Sequence, residues 1–498
     1  MGYKLVIGLE IHAELKTQTK MFCSSKNDSL ETRPNVNVCP VCLGHPGTLP
    51  VINKEAVLKV IKTGLALNCR VQEETFFERK NYFYPDLPKG YQISQYKLPI
   101  CKDGYLAIIT ESGEQKIRIQ RVHLEEDTAK LIHSEDEEIS LVDFNRAGIP
   151  LMELVTQPDI HSAKEAVNFA RELQLILRYL KVSDADMEKG QMRVEVNVSL
   201  TPYKQKNNKL GTKVEIKNLN SFLAVEKSIL YETKRQEEIL ERGDKVVQET
   251  RGWDDNRLET NSQRIKEKSQ DYRYFPEPDL SPLQLEKFTK DIKKTMPELP
   301  QQKRDRFKKE YQLSGQEIEI LIKNRDASNY FEKVVSELDD WRKSEKLQES
   351  QLPNLVKLAV NNLETNLMGL MKDRQILFSK LKITPENFAE LVILIWKKEV
   401  STMAGKIILK DIFESGADPT YVIKEKNLGQ VSDEDEIRKI VKRVIKENPR
   451  AVEDYKNGKK NTVQFLIGGV MRKTKGKMDP KITQKIIQET LTDLSEEL

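Results

Sequence analysis

Leu5, Ile7, Leu9 and Ile11 alternate with Glu10, His12 and Glu14 at a period of two. Successive side chains of a strand point to opposite faces, so this segment reads as a strand with one apolar face and one ionisable face. The same pattern returns in Met192-Arg193-Val194-Glu195-Val196-Asn197-Val198-Ser199 and in Lys213-Val214-Glu215-Ile216-Lys217. Strands of this kind half-bury themselves in an antiparallel sheet, with the polar face left to solvent or a ligand. The other elements of this part read as packing helices.

Two such helices are legible. Ser162-Ala163-Lys164-Glu165 is a capping box opening a run whose Ala166, Phe169, Leu173, Ile176, Leu177 and Leu180 share one face. A second begins at Asn220-Ser221 and stops at Gly243. Strands and turns dominate to about residue 294, and helical patterning follows. The spacing predicts an α+β chain: a largely antiparallel sheet domain over 1–295, a helical domain over 296–383 and a helical tail over 384–498. The first break falls in Met296-Pro297-Glu298-Leu299-Pro300, the second at Thr384-Pro385, where Thr384 can cap a new helix.

Composition excludes several classes. The 498 residues carry 82 Lys+Arg against 78 Asp+Glu, so any basic surface must be local. No apolar run approaches the ~20 residues that span a bilayer, and the N-terminal stretch, with Glu10 and His12 inside its apolar run, does not read as a signal peptide. Five cysteines cannot make a disulfide framework, and a reducing cytoplasm is the expected compartment. There is no G-x4-G-K-[ST] phosphate loop and no G-x-S-x-G nucleophile turn. Any amide chemistry here must draw its ammonia from elsewhere.

Three carboxylate-rich places remain: Glu10 with His12, the run His123-Leu124-Glu125-Glu126-Asp127, and Glu153 with Glu195. A hard divalent ion takes oxygen ligands from several segments, and in phosphoryl-transfer sites Mg²⁺ keeps a few carboxylates plus substrate phosphates. The same spacing serves equally well as solvated charge on an exposed strand face. Cys23, Cys39 and Cys42 crowd one loop with a true C-x2-C; Ser25 stands in the place of a fourth thiol and His45 is the alternative fourth ligand for zinc, while three ordinary reduced cysteines fit the spacing as well. Two aromatic-proline segments, Arg79–Gln92 and Asp271–Asp279, read as rigid clamps, with Lys80 and Lys89 available to a polar passage. From Arg438 to Lys477 thirteen Lys/Arg face three acids, a local footprint for a phosphate backbone.

VIGLEIHAEL, VCPVCLGHPGTLPVIN, RKNYFYPDLPKGYQISQY, HLEEDTAK, LVDFNRAGIPLMELVTQPDI, TKVEIKNLNS, DYRYFPEPDL and AVEDYKNGKKNTVQFLIGGVMRKTKGKMDP together resemble the GatB family, the B subunits of tRNA-dependent amidotransferases. The resemblance runs nearly end to end and implies a cradle-shaped catalytic domain, a helical domain and a YqeY-like tail that helps bind tRNA. It implies an ATP- and Mg²⁺-dependent ligase that phosphorylates the side-chain carboxylate of Glu-tRNA(Gln) or Asp-tRNA(Asn). Ammonia made by the glutaminase partner, GatA, then displaces the phosphate, and the small partner GatC completes the assembly.

By the same resemblance the catalytic residues are Glu10, His12, Glu125, Glu126 and Glu153, with His12, Glu125, Glu153 and Glu195 on Mg²⁺. Glu126, Lys80 and Lys89 line the ammonia passage. Lys456, Lys459, Lys460, Arg472, Lys473, Lys475 and Lys477 contact tRNA. Two departures stand out: Glu195 replaces the aspartate of many members, and Ser25 removes one thiol of the zinc set, leaving Cys23, Cys39 and Cys42. Two competing readings are a non-catalytic RNA-binding assembly protein and the archaeal-type relative GatE, whose inserted domain this length does not accommodate.

Overall fold

The computed structural model describes residues 2–133, 139–203, 210–265, 271–429, 434–456, 459, 461–474 and 477–496. They divide into two compact units, Met1–Pro300 and Gln301–Leu498.

Eleven strands of the first unit position the site: β1 (Tyr3–Glu14), β2 (Arg70–Val71), β3 (Glu78–Asn81), β4 (Tyr91–Ser94), β5 (Cys101–Thr110), β6 (Gly113–Glu126), β7 (Pro150–Thr156), β8 (Met192–Pro202), β9 (Val214–Lys217), β10 (Glu249–Asp254) and β11 (Glu259–Ile265). Nine of them form one sheet in the order β11-β10-β9-β8-β1-β7-β6-β5-β2. Neighbours are antiparallel except β9 and β10. The N-terminal strand thus lies at the centre, where both its edges are hydrogen-bonded.

The apolar face behaves as the alternation demands. Ile7, Leu9, Ile11 and Ala13 of β1 join Val194, Val196 and Val198 of β8 in one core. Three helices complete that core: α1 (Lys54–Ala66), α2 (Ala163–Tyr179) and α3 (Phe222–Glu241). Ser162 caps α2 by accepting Glu165 N–H, while the Glu165 carboxylate accepts the N–H of His161, one residue before the cap. Ser221 caps α3, and Gly243 beyond its end takes the left-handed φ of 86° that a side chain resists.

A second, smaller sheet builds the wall beside the site. β3 pairs with β4 on one edge and with Phe275–Pro276 on the other. This brings together the two aromatic-proline segments, nearly 200 residues apart in sequence. Arg79 grips Glu277 through two 2.7 Å bonds, and the Tyr82 and Tyr272 rings meet at 5.9 Å. The clamp reading of these loops holds.

The second unit is helical. Thr384 caps Pro385–Trp396 as expected, accepting Asn387 N–H at 3.1 Å. That helix packs on Arg325–Ser344 through Phe388 against Tyr330 and Trp396 against Trp341. The Tyr330 hydroxyl bonds the carbonyls of Ile383 and Thr384, so residue 384 starts a helix within this unit. Four last helices, Glu434–Glu447, Pro449–Lys456, Asn461–Lys473 and Pro480–Glu496, close on their own core of Ile437, Val441, Val444, Leu466, Val470 and Ile487. Among the described residues no helix is long and apolar enough to cross a membrane.

The core assignment is open to a direct check. Phe169→Ala on α2, a fully buried ring, is expected to lower the unfolding free energy by about 3–5 kcal/mol. Lys164→Ala on the exposed side of the same helix is expected to stay within about 0.5 kcal/mol. Urea denaturation of both variants measures the difference.

Candidate active site on the polar face of the sheet

Register decides which ionisable residues meet. Paired residues of antiparallel strands project to the same side, so each matched row of the sheet is a row of neighbouring side chains. In one row His123 of β6 faces Glu153 of β7, Glu153 faces His12 of β1, and His12 faces Arg193 of β8. In the next, Glu10 faces Glu195. One row further Asn197 faces Glu215 of β9, which faces Thr250 of β10. Several separate sequence segments thereby contribute to one polar surface.

The distances define two overlapping groups. His12 Nε2 lies 3.4 Å from Glu153, 3.7 Å from Glu125 and 4.0 Å from Glu10. His123 Nε2 lies 3.5 Å from Glu153 and 3.8 Å from Glu125. The Ser94 hydroxyl donates to Glu125 at 3.0 Å, and Arg121 approaches Glu153 at 3.4 Å. Glu10 also belongs to a second trio with Glu195 and Glu215, whose ligand atoms lie within 4.8 Å of one another. Lys217 Nζ contacts Glu195 at 2.9 Å and Glu215 at 3.9 Å. Glu195 is therefore not brought to His12, Glu125 and Glu153; it belongs to the Lys217 side.

The electrostatics separate the carboxylates. Burial, reinforced by the charge of Glu153, raises Glu10 to about 7. Burial also pushes Glu153 up, but His123 and His12 overcome it and hold Glu153 well below the usual carboxylate range. Burial alone would lower His12; its hydrogen bond to Glu153 and the charges of Glu153, Glu125 and Glu195 instead raise it to about 9. Lys80 of β3 follows the same logic: against burial, Glu125 and Glu153 hold its ammonium above the ordinary value. Beside the cluster Asp127 accepts from Arg193 at 2.9 Å and Arg146 at 2.8 Å, and Arg146 also reaches Glu14 at 2.8 Å. These guanidiniums outweigh burial and hold Asp127 at about 2.

Glu126 does not join the cluster. As the neighbour of Glu125 on a strand it points to the other face, where Lys89 Nζ meets it at 2.6 Å and Ile93 N–H donates to it at 2.9 Å. A small cavity there is lined by Phe22, Cys23, Cys42, Lys89, Tyr91 and Glu126. Lys80 and Lys89, read alike from sequence, consequently serve opposite faces of β6.

Cys23, Cys39 and Cys42 do converge, their sulfurs within 4.8 Å. The set does not fit a closed zinc site. Ser25 Oγ is a hydroxyl 4.0 Å from Cys42 Sγ, and His45 is exposed and outside the cluster. The fully buried Lys20 places its ammonium 3.8 Å from Cys42 Sγ and bonds the Phe144 carbonyl at 3.1 Å. A fixed cation beside the thiols opposes a dication and favours a thiolate at Cys42.

In the tail, Lys459 bonds Asp454 at 2.8 Å and Lys473 pairs with Glu447, so two of the expected phosphate contacts have acidic partners in this chain. Arg472 is exposed and Lys477 half-buried. Lys460, Lys475 and the Lys456 side chain lie outside the described residues. Sequence reading passed over His123, Arg121, Glu215 and Lys217 as site residues. Their signal was present: Arg121, His123 and Glu125 share one strand face, as do Glu215 and Lys217. Only register shows that these faces meet.

The thiol cluster yields a prediction. Metal analysis of the purified protein is expected to find well under one zinc per chain, and Ser25→Cys is expected to raise it toward one by completing four sulfurs. Stoichiometric zinc in the unaltered protein overturns this account of Lys20.

Known proteins bear on this geometry. The profile of the GatB/GatE catalytic domain matches residues 5–291, which hold the whole polar face, and that of the GatB domain matches residues 345–491. Curated relatives match over nearly their full length. One from Persephonella marina is 47% identical over 492 residues, covering 99% of this chain and 100% of its own. Others from Thermoanaerobacter pseudethanolicus and Thermotoga sp. strain RQ2 are 44% and 45% identical, each over 99% of this chain and 99% or more of their own. All three are named as the B component of aspartyl/glutamyl-tRNA(Asn/Gln) amidotransferase. With both domains matched in order and the carboxylate face lying inside the catalytic one, the chain belongs to the GatB family of tRNA amidotransferase B subunits.

Proposed function

We propose that this chain carries out the ATP-dependent step of tRNA-bound Glu or Asp amidation, with residues 1–295 holding the reaction and 384–498 contacting tRNA. The observation that carries this reading is the convergence of Glu10, His12, Glu125 and Glu153 beside Lys80 on one sheet face. Three carboxylates and an imidazole are a donor set suited to Mg²⁺. His123 Nδ1, buried and without a hydrogen-bond partner among the described residues, marks the set as built for more than packing.

The roles follow from placement. Glu10, His12, Glu125 and Glu153 would hold the ion, and Mg²⁺ supplies neutralisation of charge on the transferred phosphoryl group. His123 and Ser94 orient Glu125 and Glu153 from behind. Lys80, whose Nζ lies 5.0 Å from the Tyr272 ring, offers a buried ammonium to the substrate's side-chain carboxylate. The carboxylate oxygen attacks the γ-phosphorus of ATP, ADP leaves, and an acyl phosphate forms on the tRNA-bound residue. Ammonia from the glutaminase partner GatA then displaces phosphate to give the amide. Glu126 with Lys89 lines its polar path, and Glu126 takes up the proton when ammonia arrives as ammonium. GatC joins the assembly, and the work is cytoplasmic. Arg472, Lys477 and their neighbours neutralise tRNA phosphates.

The test uses the complex of this chain with GatA and GatC, ATP, Mg²⁺, and Glu-tRNA(Gln) or Asp-tRNA(Asn), with ammonium chloride replacing glutamine. The unaltered complex is expected to form amidated tRNA on at least one substrate. Glu153→Gln is expected to lose about a hundredfold or more with either nitrogen source, while tRNA affinity stays within about twofold because the tail contacts are separate. No product on either tRNA from an intact complex favours the non-catalytic assembly reading.

The tail carries its own expectation. Replacing Arg472 and Lys477 together by Ala is expected to weaken tRNA binding and reduce the slope of log affinity against log salt by about 1–2. An unchanged slope moves the phosphate contacts elsewhere.

A further inference from the structure

One charged group lies apart from the carboxylate face, in the thiol loop. Lys20 is fully buried, and its ammonium donates to the Phe144 carbonyl at 3.1 Å and to Cys42 Sγ at 3.8 Å. Among the described residues no carboxylate lies within salt-bridge distance of it. A buried ammonium needs a counter-charge, and a thiolate at Cys42 is the group in place to supply it. The backbone of Lys20 is fixed on two sides: its N–H donates to the Ser25 carbonyl at 2.9 Å, and its own carbonyl accepts from Asn53 Nδ2 at 3.2 Å. Cys42 is equally well placed to accept. Across the turn Cys39-Pro40-Val41-Cys42 the Cys39 N–H donates to its sulfur at 3.1 Å, and the Cys39 sulfur lies 3.8 Å away. A fixed ammonium with two adjacent sulfurs is the arrangement of a reactive thiol and its resolving partner. Cys42 also lines the cavity that holds Lys89 and Glu126, which has room for a molecule about the size of water.

We propose that Cys42 is a modification site: a thiolate held by Lys20 that hydrogen peroxide oxidises and that Cys39 captures as a disulfide. The Cys42 sulfur attacks one peroxide oxygen, so that an S–O bond forms, the O–O bond breaks and hydroxide leaves. Lys20 gives that hydroxide a proton, and it departs as water. The Cys39 sulfur then attacks the sulfenic acid at Cys42. An S–S bond replaces the S–O bond, and the hydroxyl leaves with the Cys39 proton as a second water. Two electrons pass from the sulfurs to the peroxide, and the ion pair ends as a neutral amine beside a neutral disulfide. No uncompensated charge is left in the interior, a result that lysine allows and arginine, which keeps its proton, does not. Burial pushes the thiols of Cys69 and Cys101 up, so these two stay reduced.

The test exposes the complex with GatA and GatC to hydrogen peroxide, blocks the remaining thiols with iodoacetamide and maps each cysteine of this chain by mass spectrometry, with zinc counted in the same sample. The unaltered protein is expected to form a Cys39–Cys42 disulfide that dithiothreitol reverses, with Cys69 and Cys101 unoxidised. Cys39→Ser is expected to stop at the sulfenic acid on Cys42, read as its dimedone adduct. Lys20→Met is expected to slow oxidation of Cys42 by about tenfold or more. Elution of the intact complex checks assembly, and Cys39→Ser, changed at a half-buried sulfur, tests the chemistry even where Lys20→Met fails to assemble. Cys42 left unoxidised, or a disulfide that joins it to Cys23 instead, overturns the assignment, and an equal rate in Lys20→Met overturns the role of Lys20. Stoichiometric zinc on the three sulfurs overturns the proposal together with the account of the thiol loop on which it rests.

Discussion

Everything in the catalytic unit depends on the compensation of charges along the polar face of one sheet. Carboxylates at Glu125 and Glu153 are almost sealed from water, a condition that burial alone would punish severely. They persist because a nitrogen partner or a positive charge stands near each: the His12 and His123 rings at Glu153, the His12 ring and the charge of Lys80 at Glu125. Removing one partner leaves the other uncompensated, so these residues act as a unit rather than as independent ligands. The same compensation repeats at Asp127 with Arg146 and Arg193, and at Glu195 with Lys217.

Such a surface must be rigid, and the fold supplies rigidity from the other side. β1 lies in mid-sheet with hydrogen bonds on both edges, and its apolar residues are locked into a core under three helices. A shift of β1 by one residue would turn Glu10 and His12 into that core and Leu9 and Ile11 toward the site. Packing energy therefore fixes the alignment of the charged groups.

Adjacent residues acquire different work through the strand period. Glu125 and Glu126 differ by one position, yet one lies beside His12 under the charge of Lys80 while the other pairs with Lys89 beside the thiol loop. β6 thus separates the carboxylate cluster from a cavity of different chemistry, and a single backbone segment serves both. In the thiol loop itself the buried Lys20 sets an ammonium 3.8 Å from Cys42 Sγ.

Local periodicity was enough to establish the strand character of β1, β8 and β9, the capped starts of α2 and α3, and the helical second half, because these depend on spacing, caps and glycine placement within a few residues. The candidates Glu10, His12, Glu125, Glu153 and the three cysteines were legible for the same reason, as residue types at a spacing suited to ligands, and end-to-end motif resemblance pointed to the family. What only tertiary structure decided was the partnership. His123 against Glu153, Lys217 against Glu195 and Lys20 against Cys42 bring together residues 22 to 30 positions apart, and the sheet row joining His123 to Arg193 spans three strand pairings. Register and burial are properties of the assembled sheet, since they follow from how helices seal its apolar side, and no local pattern encodes which polar faces will come to rest against one another.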